Sequence, residues 1–226
     1  MSFARLHRPV ARHFRGRRMR RFAETFGLAA ETRVLDLGGA EYYWDWAGVR
    51  PRVVVANPEP RDVRPVRLEW VRADGRQLPF RDGAFDVVHC NSVLEHLPDE
   101  RSRKALAREI ARVGRGFSVQ IPNRWFPVEP HTLTPGFHFL PKRWQARLAR
   151  NFTVWGWLQR PSGREARGFV ENIHPLAAKD LRRLFPGARI ERERVLGLTK
   201  SVLAVRQQPR KVADRVEHAV GALRPL

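Results

Sequence analysis

The chain has 226 residues, of which 42% are hydrophobic, and a formal net charge of +20 at pH 7. This hydrophobic content excludes wholesale disorder, and no apolar run approaches the roughly 20 residues of a membrane-spanning helix. The single cysteine, Cys90, excludes an internal disulfide and a cluster of thiolate metal ligands. Together with the lack of a secretory-type N-terminus, these features predict a cytoplasmic protein.

The positive charge is unevenly distributed along the sequence. Residues 1–23 contain eight arginines and no acidic residue, residues 24–121 contain 15 basic and 15 acidic residues, and residues 122–226 contain 20 basic and 8 acidic residues. A neutral middle segment between two positive ends indicates a core whose periphery faces an anionic molecule or surface.

Apolar periodicity and charge divide the chain into three parts. We expect a basic N-terminal arm over residues 1–23, made of two short helices interrupted at Pro9 and Gly16. The main domain is expected over residues 24–206, followed by an amphipathic helix over residues 207–226.

Within the main domain, short apolar runs predict strands, and one amphipathic segment with Asp99 and Glu100 in its first turn predicts a helix. The elements expected in chain order are strands over 33–37, 52–57, 67–71 and 85–90, a helix over 99–113, a strand over 116–121, a loop-rich stretch to about 172, a helix over 176–184, and an antiparallel pair over 188–195 and 201–205. This alternation of strands and helices predicts an α/β fold.

The connection between the second and third strands is unusually short. Its nine residues, 58–66, include Pro58, Pro60 and Pro65, whereas a crossover between parallel strands usually takes a dozen or more residues. We therefore expect a bare loop there in place of a helix.

Polar residues and glycines follow the predicted strands at the points where the strands end. Because the carboxyl ends of parallel strands line one edge of a sheet, glycines there permit a close approach of the backbone to a ligand. The residues that share this position are Asp36, Gly38, Gly39, Asn57, Asp74, Gly75 and Asn91.

With the segment Asn91-Ser-Val-Leu-Glu95-His96, these motifs resemble those of the class I S-adenosylmethionine-dependent methyltransferases, in the branch with the ubiquinone-type and related small-molecule enzymes. The resemblance spans roughly residues 30–141. It implies a Rossmann-like, seven-stranded sheet with a reversed last strand, and S-adenosylmethionine as the cofactor across the carboxyl ends of the first strands. At the methionine end, it implies that Asp36 lies near the amino group with Gly38 and Gly39 as the turn beneath, and that Asn91 lies near the methionine moiety.

At the nucleoside end, the resemblance implies that Asn57 occupies the ribose-binding place. It implies that Asp74 accepts a hydrogen bond from the adenine amino group, with the backbone of Gly75 beside it. The family usually has Asp or Glu in the place of Asn57, and an amide offers one acceptor and one donor group where a carboxylate accepts twice. Glu59, two residues later, is a candidate substitute.

The glycine turn also departs from the family pattern, because Ala40 and Tyr42 stand where glycines are usual. A subset of these enzymes carries an aromatic pair after the two glycines, here Tyr43 and Trp44, which favours a binding loop of different shape. The alternative, from another functional class, is a degenerate methyltransferase fold that serves as a binding module.

Several of these acidic residues also have structural interpretations. Asp36 and Asp74 are each suited to capping a turn without touching a ligand. Glu95-His96 is suited to metal binding or acid–base chemistry, but helix-start residues that face solvent or pack are the favoured interpretation, so no metal site is expected.

Residues 122–172 are expected to form an aromatic lid inserted after the fifth strand, where similar enzymes bind their acceptor. Eight of the chain's twenty Trp and Phe residues lie between residues 122 and 158. His131 is the candidate general base, with Glu129 or Asn123 orienting it. Arg124 is a candidate for binding an acceptor carboxylate or phosphate. The alternative for His131 is a structural histidine, and the alternative for Arg124 is a surface charge.

The sequence therefore predicts methyl transfer from S-adenosylmethionine to a small-molecule or lipid-like acceptor, at oxygen. RNA methylation is a further alternative, since the basic arm would attract phosphate, but the Asn/Asp-Pro-Pro-aromatic motif of base amino methyltransferases is absent after the fourth strand, so nucleic acid is not the expected partner. The basic, aromatic periphery equally suits an anionic membrane surface, which predicts a cytoplasmic protein with peripheral membrane contact.

Overall fold

A computed structural model describes residues 3–59 and 68–207 of the chain. Its helices are α1 (Phe3–Phe26), α2 (Glu100–Val113), α3 (Lys142–Phe152), α4 (Val154–Gln159), α5 (Gly163–Glu171) and α6 (Ala178–Leu184). Its strands are β1 (Arg33–Leu37), β2 (Arg52–Asn57), β3 (Glu69–Arg72), β4 (Phe85–Asn91), β5 (Gly114–Pro122), β6 (Val128–Glu129), β7 (Thr134–Pro135), β8 (Arg189–Val195) and β9 (Leu198–Arg206). The predicted C-terminal helix and nearly all of the predicted bare loop lie outside the described residues.

Seven strands form one sheet in the order β3-β2-β1-β4-β5-β9-β8. Strands β1 to β5 pair in parallel, whereas β9 runs antiparallel to both β5 and β8. The apolar runs of β1 and β4 are buried on both faces, as parallel strands covered by helices must be. The prediction of a Rossmann-like, seven-stranded sheet with a reversed last strand is confirmed.

Helices cover both faces of the sheet. On one face, α2 and α6 pack against Leu35, Val88 and Phe117. Helix α2 forms as predicted, because its apolar side chains share one face and the Asp99 carboxylate caps it by accepting from the amide of Ser102 at 2.7 Å. These contacts fix the carboxyl ends of β1, β4 and β5 at one edge.

On the other face lies α1, a single helix in place of the two short helices predicted for the arm. Gly16 costs a helix interior about 1 kcal/mol. The burial of Met19 and Phe22 against Val34 and Val87 offsets this cost, and tertiary packing of this kind is where most helix stability originates. Residues of the predicted arm therefore contribute to the hydrophobic core.

Helix α1 is also joined to the sheet by a buried arginine. The guanidinium of Arg18, whose side chain is 9% exposed, makes a two-pronged ion pair with Glu193 of β8. It also donates hydrogen bonds to Asn91, Gln120 and Ser201, which lie on β4, β5 and β9. One side chain of the basic N-terminal segment thus connects four strands.

The lid segment is more regular than predicted, since much of the stretch expected to be loop-rich folds into α3, α4 and α5. These helices form a small core of their own around Phe137, Ala149, Ala166 and Val170. The high aromatic content of this segment concealed the helical spacing of its buried residues in the sequence. Among the described residues, no helix combines the length and the apolar character needed to cross a membrane.

We expect Arg18→Ala to lower the free energy of unfolding by about 3 kcal/mol, because it leaves the Glu193 carboxylate, which is 20% exposed, without its two-pronged ion-pair partner. Arg21→Ala is the matched control on the same helix; it breaks the ion pair with Glu191, but its side chain is 58% exposed, so the loss should stay below about 1 kcal/mol. Urea unfolding followed by circular dichroism measures both, and equal losses would contradict the anchoring role of Arg18.

Candidate functional site

The carboxyl ends of β1, β2 and β4 bring together most of the residues singled out in the sequence. Gly38 follows β1 with a φ of +70°, a conformation that favours glycine, and its amide donates to the carbonyl of Ala56 on β2. A Cβ atom on Gly38 would lie 2.7 Å from a methyl group of Val93, in the segment after β4. The backbone of this turn is therefore exposed to a ligand only because it carries no side chain.

Asp36 lies beneath the glycine turn as a buried carboxylate. Its Oδ2 accepts a hydrogen bond from the indole nitrogen of Trp44 at 2.9 Å, and its Oδ1 lies 3.1 Å from Nδ1 of His89. A Cβ atom on Gly39 would lie only 1.8 Å from Oδ2, so glycine is required directly above the carboxylate. In this geometry Asp36 supports the turn from below, and its side chain is 1% exposed.

The two residues expected at the nucleoside end lie farther along the same edge. Asn57 is 9% exposed, and its amide nitrogen reaches the carbonyl of Gly39 at 3.4 Å. Asp74 is half-exposed and paired with Arg76, whose hydrogen bonds hold the pKa of the carboxyl below its usual range. A Cβ atom on Gly75 would lie 2.8 Å from the Leu106 side chain, so this backbone packs closely on α2.

The turn after β4 lies at the same edge of the sheet. The carbonyl oxygen of the Asn91 side chain accepts from Arg18. Ser92 has a φ of +58°, which a residue with a side chain seldom adopts, and both its amide and its hydroxyl are hydrogen-bonded to Gln120. A strained turn held from two sides is typical of a segment that must present its backbone in one orientation.

The residues expected at the acceptor lie beyond this turn, around a small cleft under the lid. His131 is one-fifth exposed, and its Nδ1 lies 2.7 Å from the buried carboxylate of Glu129. Burial opposes a charge on His131, but the hydrogen bond and charge of Glu129 raise its pKa above the usual value. The amide of Asn123 donates instead to the carbonyl of Thr199, so Glu129, and not Asn123, is the residue that orients His131.

Arg124 lies at the mouth of the same cleft. Its side chain is exposed, and the guanidinium lies 5.0 Å from the centre of the Trp125 ring. The charge is therefore accessible to an anionic group while the stacked ring limits its orientation.

Part of the chain is similar in sequence to known methyltransferases. Residues 47–116 match the family model of the methyltransferase domain. Proteins of Mycobacterium sp. strains KMS and JLS, both named uncharacterized methyltransferases, are 37% identical to the chain over 105 residues. The match covers 41% of this chain, and the chain spans about two fifths of the length of these curated relatives.

Solved structures share the fold at low sequence identity. The N-methyltransferase NodS from Bradyrhizobium japonicum WM9, in complex with S-adenosyl-L-homocysteine, is 13% identical with a TM-score of 0.53, over 88% of this chain and 87% of that one. The Burkholderia thailandensis 1,6-didemethyltoxoflavin-N1-methyltransferase is 14% identical with a TM-score of 0.50, over 85% and 78% of the two chains. A chain from the Haloferax volcanii complex of a methyltransferase with its Trm112 activator is 14% identical with a TM-score of 0.52, over 90% and 94%.

Residues 47–116 thus match a methyltransferase domain, and the chain shares its fold with solved methyltransferases. The support of the glycine turn was not predicted, since Trp44 and His89 were not singled out in the sequence as neighbours of Asp36. Arg18 was missed as well, because an arginine among eight in a basic segment gives no sequence signal that it is buried.

We expect Gly39→Ala to lower the free energy of unfolding by about 2–3 kcal/mol, because the new methyl group would displace the Asp36 carboxylate from Trp44 and His89. Gly168→Ala is the control: it lies within α5 with nothing within 4 Å of the added Cβ, and should stabilise the protein by about 0.5–1 kcal/mol. Denaturant titration of both variants tests the prediction, which fails if Gly39→Ala is as stable as the parent.

Proposed function

We propose that the chain transfers a methyl group from S-adenosylmethionine to the oxygen of a small-molecule or lipid-like acceptor. The observation that carries the proposal is the alignment of the Gly38-Gly39 turn, Asn57 and Asn91 at the carboxyl ends of adjacent strands, in a chain whose residues 47–116 match a methyltransferase domain. Parallel sheets of this type bind ligands across such an edge.

The residues at this edge fit the cofactor in chemistry. The glycine turn has backbone groups that a ligand can contact without meeting a side chain. The Asn57 amide is suited to a ribose hydroxyl, and the Asp74 carboxylate is suited to the adenine amino group. When bound, the cofactor supplies an electrophilic methyl group on a sulfonium. Asp36 also holds the turn in shape through Trp44 and His89.

On the acceptor side, positioning and exclusion of water are the main tasks of the protein, since methyl transfer is an in-line displacement. The Glu129 carboxylate fixes the ring of His131, whose Nε2 is then directed away from Glu129. That nitrogen is our candidate to accept the proton of an acceptor hydroxyl. Asn123 and Arg124 line the same cleft, where Arg124 is suited to an acceptor carboxylate or phosphate.

The rival functions make distinct claims. A degenerate binding module would not bind S-adenosylmethionine, and it would be favoured if the altered turn at Ala40 and Tyr42 closed the site. Nitrogen is the other acceptor atom, since NodS is an N-methyltransferase and the Burkholderia enzyme methylates N1 of its substrate. RNA methylation remains the nucleic-acid alternative and would give an affinity that falls steeply with salt.

We expect the full chain to bind S-adenosylhomocysteine in calorimetric titration, and Asp74→Ala to weaken that binding about tenfold or more through loss of the bond to the adenine amino group. Asp82→Ala is the matched control, because Asp82 is an exposed carboxylate that also pairs with an arginine, Arg112. No binding at millimolar ligand would contradict the enzyme proposal, and equal affinity in Asp74→Ala and the parent would refute the adenine assignment alone.

We also propose a peripheral contact of the lid with anionic membranes. Apolar side chains that the fold leaves exposed are concentrated there: Trp125, Phe139, Leu140, Trp144, Phe152 and Trp157. Exposed arginines of α3, among them Arg143, Arg147 and Arg150, lie between them. Aromatic and basic side chains together are suited to the headgroup region of an anionic bilayer.

We expect the protein to sediment with vesicles containing phosphatidylglycerol and not with phosphatidylcholine vesicles. The double variant Phe152→Ser, Trp157→Ser should reduce the bound fraction at least severalfold. The double variant Leu196→Ser, Leu198→Ser is the control, since it removes exposed apolar side chains outside the lid. Equal losses in the two variants, or equal binding to neutral vesicles, would contradict a lid-specific anionic contact.

A further inference from the structure

A buried carboxylate without a partner lies at the junction of the sheet edge and the lid. Glu95, in the 3-10 turn after β4, is 1% exposed, and among the described residues neither of its carboxylate oxygens has a hydrogen-bond partner. Burial raises the pKa of Glu95 to about 7. An isolated buried carboxylate is costly, and such groups in proteins are usually paired or bound to a metal ion.

Two imidazole rings lie beside this carboxylate, and each has one nitrogen already committed. Nδ1 of His131 faces the carboxylate of Glu129, and Nδ1 of His96 lies 3.2 Å from the carbonyl oxygen of Asn172. Since both partners accept hydrogen bonds, each Nδ1 carries the proton in the neutral ring, and each Nε2 keeps a free lone pair. A carboxylate or carbonyl behind the distal nitrogen is the usual second shell of a metal-binding histidine.

The distances suit a metal ion. One ligand atom from each of Glu95, His96 and His131 lies within 4.8 Å of the others. Around a tetrahedral zinc ion, with bonds of about 2.0–2.1 Å, ligand atoms lie about 3.4 Å apart, so the three ligand atoms must approach one another by up to about 1.4 Å to close around the ion. The cleft that Glu95 and His131 line has a volume of about 20 Å³, enough for a water molecule or an ion but not for an organic acceptor in this conformation.

We propose that Glu95, His96 and His131 form a binding site for a first-row divalent transition-metal ion, for which Zn²⁺ is the best match. Two imidazoles and one carboxylate are a common ligand set for such ions, and they leave a fourth position open. Glu129 and the carbonyl of Asn172 hold the two rings in the ligating tautomer. Because His131 belongs to the lid and Glu95 to the edge of the sheet, the bound ion links the lid to the main domain.

This binding does not depend on the proposed methyl transfer. It does bear on the role of His131, because Nε2 of this ring serves either as a proton acceptor or as a metal ligand. A metal ion held by this nitrogen would supply Lewis-acid chemistry in place of the proton acceptor.

The test is a calorimetric titration of the full chain, stripped with a chelator, with ZnCl₂. We expect one equivalent to bind with a dissociation constant of about 1 μM or tighter, and Co²⁺ in its place to give the visible absorption of a four-coordinate N/O site. Glu95→Gln, which keeps the shape of the side chain, and His131→Ala should each weaken binding at least tenfold. Glu129→Gln should weaken it about 10- to 100-fold through loss of the second shell.

His174→Ala is the matched control, because the amide of His174 bonds to the carbonyl of Glu95 while its imidazole is not among the three ligands. If the variants fail to fold, the Co²⁺ spectrum of the unsubstituted protein still tests the site, because it requires no substitution. Stoichiometric binding that survives His174→Ala and is lost in Glu95→Gln supports the site. No binding at 100 μM Zn²⁺, or binding that Glu95→Gln leaves unchanged, would overturn it, whatever the titration with S-adenosylhomocysteine shows.

Discussion

The buried carboxylate of Asp36 is the constraint on which the candidate site depends. It fills the space directly beneath Gly39, where a side chain on the glycine would collide with it, and it is fixed by Trp44 and His89. The methyltransferases that the sequence resembles usually have additional glycines in this turn. Here the indole of Trp44, just past the turn, donates a hydrogen bond to the Asp36 carboxylate, which supports the turn in addition to its two glycines.

Contacts of helix α1 connect the support of Asp36 to β4 and β8. The ring of Phe22 on α1 packs 4.8 Å from the ring of His89, which itself faces Asp36. One turn earlier on α1, Arg18 holds Asn91 at the end of β4 and pairs with Glu193 on β8. Part of the charge of the basic N-terminal segment therefore lies inside the protein. There it positions the edge of the sheet where the ligand is proposed to lie.

Much of the fold was readable from the sequence because buried parallel strands are short apolar runs with polar residues at their carboxyl ends. The helices of the lid were not predicted, although Ser162 and Glu165 form a capping box whose S-x-x-E spacing was visible in the sequence. The proximity of Glu95 and His131 could not be predicted from the sequence, since the 35 residues between them must first fold into elements that include β5 and part of the lid. Burial of a single arginine, Arg18, likewise depends on strands that follow it much later in the chain.

The most direct test of the account is a crystal structure of the full chain grown with S-adenosylhomocysteine. The account predicts the ligand across the carboxyl ends of β1 and β2, with the adenine amino group within hydrogen-bonding distance of Asp74 and a ribose hydroxyl at Asn57. It also predicts that Asp36 stays hydrogen-bonded to Trp44 beneath the ligand. A ligand bound elsewhere, or a site that stays closed at saturating concentration, would contradict it.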